Sequence, residues 1–437
     1  NITTNGIWQD NANPVAGTNA SYSSLTSTPY FFGCTAGAGG VWEDINFGQK
    51  PFKFPPPAGF QPLALANTPR PTIVRPDQYV GISTWTGTGA TRSLTTGFKP
   101  DFLWIKERGS TGGPVIVDSV RGASATLQTH ATTQEQADSD AVTGFNPYGF
   151  SLGSGYTVVS VNGSTRTYVG WAWKAGGNSN TFNINDVGYA TTTAAGLTAG
   201  TIAPTGASVN TKSGFSIVSF TSDSSTNIFS VAHGLQNTPK FVIVKSRDNG
   251  VAPWYVYHSS LATDNYLRLN GTNATASDGA NQWGNGMTSS VIGLRAGYTT
   301  VASTATIAYC WAEIPGFSKF GTYTGNGSAD GPVVITGFKP KWIMVKGSTF
   351  TSNWNILDAV RDPYNLQSNR LRPNLSSIEA SDTSGTFAIC WDALSNGFKL
   401  RGGSSTNDVN QTNETFIYCA FAETPSFNLY GGQANAR

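Results

Sequence analysis

Gly97-Phe98-Lys99-Pro100-Asp101-Phe102-Leu103-Trp104-Ile105-Lys106 recurs as Gly337-Phe338-Lys339-Pro340-Lys341-Trp342-Ile343-Met344-Val345-Lys346. A looser copy reads Pro239-Lys240-Phe241-Val242-Ile243-Val244-Lys245, and in all three the Lys stands six residues after the Pro. Working outward, each copy is followed by a second apolar strand: Val115 to Arg121, Trp254 to His258 and Trp354 to Arg361. Each copy closes on an aromatic strand: Tyr168 to Trp173, Ile307 to Ala312 and Phe416 to Ala422. A Gly-Phe step precedes that strand at Gly149-Phe150 and Gly397-Phe398, with Gly293-Leu294 in the middle copy. Internal repetition at this spacing points to one supersecondary unit used three times.

The strands are short, rich in Val, Ile, Phe, Tyr and Trp, and separated by Gly, Asn, Ser and Thr turns, which is the pattern of antiparallel β-sandwiches of about 100 residues. Both parities of Phe102-Leu103-Trp104-Ile105 are apolar, as in a strand covered on both faces. The fold class expected is all-β, in tandem jelly-roll- or lectin-like sandwiches: repeat 1 over 78–177, repeat 2 over 213–320, repeat 3 with a tail over 321–437. Pro69, Pro71 and Pro76 mark 63–77 as a stiff linker, and 178–212, rich in Thr, Ala, Gly and Asn, reads as a long connection or an arm against a neighbouring subunit. The second and third repeats abut at Phe317–Tyr323 without a spacer, so a fixed rod is expected.

Composition removes other classes. Charged residues make up 12% of the 437, and 52 aromatics are present (Trp 12, Tyr 16, Phe 24), so the chain is not disordered. A net charge of +2 without a basic cluster argues against a nucleic-acid partner. No apolar run reaches the roughly 18–20 residues of a membrane helix. Cys34, Cys310, Cys390 and Cys419 form no C-x-x-C pair and His130, His233 and His258 are scattered, so no zinc site is expected. The Asp and Asn loops lack EF-hand spacing, and Gly112-Gly113 and Gly402-Gly403 lack a P-loop lysine, so no metal and no cofactor is assigned.

Glycoside hydrolysis needs two carboxylates about 5–10 Å apart. Asp118 and Asp358 occupy equivalent places in two repeats, with His258 at the third; Glu313 and Glu423 are likewise equivalents. A residue repeated once per unit reads as a structural device, and Asp118 with Arg121 and Asp358 with Arg361 read as loop pins. No catalytic residue is assigned. Binding residues are sought among aromatics outside the shared framework, because sugars offer C–H faces to an aromatic plane and because loops on a rigid scaffold carry binding. The candidates for glycan or receptor contact are Trp85, Tyr148, Tyr156, Tyr266, Trp283 and Tyr364.

Several of these segments resemble virion tail-fibre proteins of tailed phages, especially those of marine bacteria and cyanobacteria. The carriers are the Gly-Phe-Lys-Pro strands, the Asp-x-x-Arg strands, Tyr309-Cys310-Trp311-Ala312-Glu313 leading to Gly316–Gly321, Tyr323–Gly327, Arg361–Asn365, Leu371–Asn374, Ser395–Arg401 and the terminal Ala434–Arg437. Asn5–Gln9, Asn46–Phe52 and Pro55–Phe60 resemble the C-terminal half of a SPRY domain over 1–62, which implies further chain upstream of Asn1. The resemblance implies a non-enzymatic fibre in the extracellular virion. Such a protein would form a homotrimer, contact other tail proteins, and adhere to a host-surface glycan or protein receptor, without membrane insertion. The alternatives are a purely structural fibre or decoration protein and, behind it, a capsular polysaccharide depolymerase.

Overall fold

The computed structural model describes residues 3–4, 7–8, 71–154, 158–279, 281–381, 389–403, 408–426 and 434–435. The chain divides into two compact units, Asn1–Arg70 and Pro71–Arg437. In the first, only the antiparallel pair Thr3–Thr4 and Ile7–Trp8 is described, so the SPRY-like reading of 1–62 lies otherwise outside the described residues. The second unit is built of strands, with one 3-10 turn at Pro76–Gln78 and no α-helix among the described residues.

The same strand order appears three times in this unit. The first inner sheet runs Val80–Thr86, Thr167–Trp173, Phe102–Glu107, Val115–Asp118, Gly122–Gln128, Gln136–Ala137. The second contains Phe215–Thr221, Ala305–Ala312, Pro239–Ser246, Tyr255–His258, Leu267–Arg268, and the third Ser318–Thr324, Thr415–Pro425, Phe338–Gly347, Asn355–Asp358. Each is backed by a small outer sheet, centred on Gly149–Leu152, Val291–Arg295 and Gly397–Leu400 respectively. The Gly-Phe-Lys-Pro turn that enters the inner sheet needs a left-handed residue, which Gly97 (φ 88°) and Gly337 (φ 83°) supply without a Cβ clash. Gly234 (φ 72°) does the same in the middle copy, where Leu235 takes the buried place of Phe98 and Phe338. Pro239 and Pro340, lacking an N–H, sit at register shifts in their ladders, where no donor is required.

Alternation along each central strand serves two cores. Leu103 and Ile105 face the first outer sheet; Phe102 and Trp104 face the other way. In the second copy Val242 and Val244 face outward, while Phe241 and Ile243 join Phe102 and Trp104. Trp342, Trp173, Trp311 and Phe421 complete this common core, with Phe102 edge-on to Tyr309 at 4.9 Å and Trp173 edge-on to Trp342 at 5.3 Å. The three sandwiches are therefore packed around one shared aromatic core and do not form the rod expected from the abutting repeats. Both parities are apolar because the second face of each inner sheet is covered by its two sister sheets. Rings of this size bury about 150–250 Å² each, so this core is a principal source of stability.

Two boundaries also move. Residues 178–212 are not a bare connection: Phe182–Ile184, Val187–Tyr189 and Gly206–Asn210 extend the second inner sheet, and Leu197 is buried in its core. At the end of the Pro-rich stretch, Ile73 is buried in the common core. Cys310, Cys390 and Cys419 are buried thiols and form no disulfide.

Candidate functional site

Asp118, His258 and Asp358 end equivalent strands of the three inner sheets, and each ties its sandwich to a sister. Asp118 accepts the Tyr309 hydroxyl from the second copy at 2.7 Å. Asp358 accepts the Trp171 indole N–H from the first copy at 2.9 Å. His258, at the same place in the second copy, pairs through Nε2 with the Tyr418 carbonyl of the third at 3.2 Å. His258 Nδ1 accepts the Ser260 N–H, so Nε2 carries the proton and donates. The contacts thus run first to second, second to third and third to first, closing a ring.

Backbone bonds at the seams repeat the same cycle. Glu135 N–H donates to the Arg247 carbonyl at 2.6 Å, Thr275 N–H to Ser348 at 2.9 Å, and Glu379 N–H to Arg108 at 2.8 Å. At two seams a charge pair reinforces the backbone bond: Arg247 with Glu135 at 2.7 Å and Arg108 with Glu379 at 2.7 Å. Arg121 and Arg361, whose side chains are fully buried, bind their own Asp at 2.5 and 2.6 Å and also Glu135 and Glu379. The expected loop pins are present, and they are also part of the seams. The repeated lysines are buried as well. Lys245 donates to the carbonyls of Thr132, Asn249 and Ala252, and Lys346 to those of Thr272 and Gly347, so each reaches the preceding copy. Burial pulls Lys106, Lys245 and Lys346 each down to about 8.

The aromatic candidates separate into two groups. Trp283 is 1% exposed and donates its indole N–H to the Asn265 carbonyl; Tyr266 is 3% exposed in the same core. Trp85 is buried against Phe150 and Tyr168, with its N–H on the Val161 carbonyl. These three anchor loops to their own sandwich and offer no free ring plane, which corrects their assignment as contact residues. Tyr148 and Tyr364 are 72% and 77% exposed. Tyr156 lies outside the described residues.

A cleft of about 340 Å³ opens beside the repeated lysine of the first copy. It belongs to the first sandwich and is lined by Glu107, Thr111, Gly112, Gly113, Gln128, Val158–Ser160 and Arg166. The Glu107 side chain is fully buried at its wall, and both carboxylate oxygens are met by Arg166 Nη1, at 3.1 and 3.2 Å. The floor is the Gly112-Gly113 pair: a Cβ on Gly112 would collide with the Glu107 carboxylate, and one on Gly113 with His130. His130 Nδ1 is buried without a hydrogen-bond partner, and burial followed by the charge of Lys106 lowers its pKa. Lys106, unlike its two counterparts, turns to the Gly112 carbonyl of its own sandwich at 3.1 Å.

None of these cleft residues was singled out from sequence except as a non-matching Gly-Gly pair. A signal existed: after the repeated lysine, the first copy has Glu107 where the others have Ser246 and Gly347. No group of three or more His, Cys, Asp and Glu side chains able to hold a metal ion occurs among the described residues.

No curated protein matches the chain. Residues 75–425, which span all three sandwiches, match the family described as Domain of unknown function (DUF7483), and the chain belongs to that family.

Proposed function

We propose that this chain is a non-enzymatic fibre or fibre-like virion protein of a tailed phage that adheres to a host-surface glycan or protein receptor. One observation carries the adhesion reading. The residues that repeat are used up inside, in the shared core and the seams, whereas Tyr148 and Tyr364, aromatics outside the repeated framework, lie open. A rigid scaffold with unrepeated open features is the arrangement of a recognition module. Many weak contacts from several fibres then add through avidity. A homotrimer would have to form on surfaces other than the aromatic core, which the three sandwiches of one chain already cover. A purely structural fibre or decoration protein is the second reading, favoured by how much of the polar chemistry is spent on the seams.

Antibody against residues 75–425, used to label particles of the source phage in electron microscopy, tests the placement. Label on tail fibres is expected, and label on the capsid or on no particle refutes it. Purified chain should also bind host cells and compete with particle adsorption; failure to bind cells refutes adhesion and leaves the structural reading.

A further inference from the structure

We infer that the seam between the second and third sandwiches is an acid-sensitive joint, which opens when the His258 imidazole takes up a proton while the other two seams stay closed. The joint is a property of the ring and does not rest on the adhesion reading. The seams differ in what holds them. Arg247 with Glu135 clamps the first sandwich to the second, and Arg108 with Glu379 the third to the first. Such a pair resists protonation of its carboxylate. Among the described residues, no ion pair joins the second sandwich to the third. That seam is closed by Thr275 N–H on the Ser348 carbonyl and Ser352 N–H on the Thr272 carbonyl, both at 2.9 Å. Trp354 Nε1 on the Arg268 carbonyl at 3.0 Å, Lys346 Nζ on the Thr272 carbonyl at 3.2 Å, and His258 add to it. Lys346, at about 8, already carries its proton at pH 7, so His258 is the member of this set that changes charge below neutrality.

Both ring nitrogens of His258 are placed as only a neutral imidazole allows. Nε2 donates to the Tyr418 carbonyl across the seam, and Nδ1 accepts the Ser260 N–H, each at 3.2 Å. A proton added at Nδ1 would face that N–H, so the bond would become a repulsion. Burial resists the charged form, and Lys240 on the neighbouring strand adds a charge of the same sign. On the facing strand of the third sandwich, burial keeps the Tyr418 hydroxyl and the Cys419 thiol neutral; Glu313 acts on that hydroxyl and not on the imidazole. The cation therefore has no partner in the closed seam and gains water when the seam opens. His258 sits at about 4 against an ordinary value near 6.5, so opening is favoured as the pH falls through that interval. His233 makes its two bonds, with Thr288 and Leu235, inside its own sandwich. His130 Nδ1 has no hydrogen-bond partner, so a proton taken up there breaks no bond.

Amide hydrogen exchange of the full chain at pH 7 and about pH 4.5, read by mass spectrometry and corrected for intrinsic rates, tests the joint. Each seam has its own reporter: the N–H groups of Thr275 and Ser352 for second to third, of Glu135 for first to second, and of Glu379 for third to first. If opening returns His258 to its ordinary value, protection at Thr275 and Ser352 should fall about 50-fold between the two conditions. At Glu135 and Glu379 it should fall less than about 5-fold. In His258→Gln, whose amide can make both bonds but takes up no proton, the fall should vanish, and in His233→Gln it should remain. An equal fall at all three seams overturns the inference, as does an earlier fall at another seam, no fall at Thr275 and Ser352, or a fall that persists in His258→Gln. The three seams are compared within the wild-type chain, so the result decides even where a variant fails to fold.

Discussion

Tyr309→Phe removes one oxygen from the seam between the first and second sandwiches and almost nothing else. The ring stays in the shared core, where it is fully buried, so no cavity term arises. What is lost is the hydrogen bond from the hydroxyl to Asp118 Oδ2 at 2.7 Å. A hydrogen bond to a charged group contributes about 1.5–3 kcal/mol. Asp118 is not orphaned, because Arg121 Nε and the N–H groups of Val120 and Arg121 still reach it. The cost should therefore lie near the lower end, about 1.5–2 kcal/mol. Tyr323→Phe supplies the scale: its hydroxyl donates to the neutral Val409 carbonyl within the third sandwich, a bond of about 1 kcal/mol.

Urea unfolding followed by both tryptophan fluorescence and circular dichroism reads the result. Because the three sandwiches share one core, Tyr309→Phe should move a single transition in both probes, and more than Tyr323→Phe does. A cost below about 0.5 kcal/mol would mean that the Tyr309–Asp118 contact contributes no more than an exposed pair. A split transition, with the first sandwich melting alone, would refute the closed ring. A double-mutant cycle with Asp118→Asn should return a coupling of at least about 1 kcal/mol.

Three further outcomes are expected. Burial holds His233 and His258 at about 4, below the ordinary value near 6.5, so the unfolded chain binds protons the native one refuses; stability falls as pH drops from about 6.5 to 4, by about 3 kcal/mol per histidine, and His258→Gln should remove part of that slope in urea titrations. Burial also holds the three repeated lysines at about 8, so between pH 8 and 10 the native state sheds protons first and stability rises by up to about 2–3 kcal/mol per lysine, before the buried tyrosines reverse the trend above pH 10; Lys245→Met should flatten the rise, and a falling curve from pH 8 to 10 would contradict it. Trp283→Ala should cost about 3–5 kcal/mol as a core deletion, whereas Tyr148→Ala and Tyr364→Ala should change stability by less than about 0.5 kcal/mol in the same assay.

Much of this was readable from residues alone, and the failures have identifiable causes. Gly-Phe-Lys-Pro fixed the strand entry because a left-handed Gly followed by a residue without an N–H can do little else. Trp171 and Trp311, which lie in the repeated aromatic strands, are buried in the shared core. The two apolar parities of Phe102–Ile105 also carried the information that both faces are covered, but nothing in one strand says whether the second cover is its own sandwich or a neighbour. Trp283 was misplaced because an aromatic in an unrepeated loop has the same sequence signature whether its plane is presented or buried. Only the position of the Asn265 carbonyl, which receives its N–H, separates the cases. Glu107 went unnoticed because it stands beside a repeated lysine, and its significance lies in a difference between copies.

Those differences follow from closing the ring within one chain. Cys419 occupies the place that Trp171 and Tyr309 fill in the other central strands, and a thiol buried there cannot reach across the seam as an indole or phenol does. An Asp at 258 would consequently face no side-chain donor and would be buried with its charge unmatched, at a cost of several kcal/mol. His258 reverses the polarity of the contact: it donates to the Tyr418 carbonyl, and its low pKa keeps it neutral in doing so. In a ring of three identical chains the same substitution would appear at every seam, and the three sites could not differ. Here each seam can settle on its own pairing, and the first sandwich can open a cleft beside Lys106 while the equivalent lysines of the other two still bridge to their neighbours. The asymmetry that a single chain permits is thus the physical condition for three seams of the same architecture to differ in their chemistry.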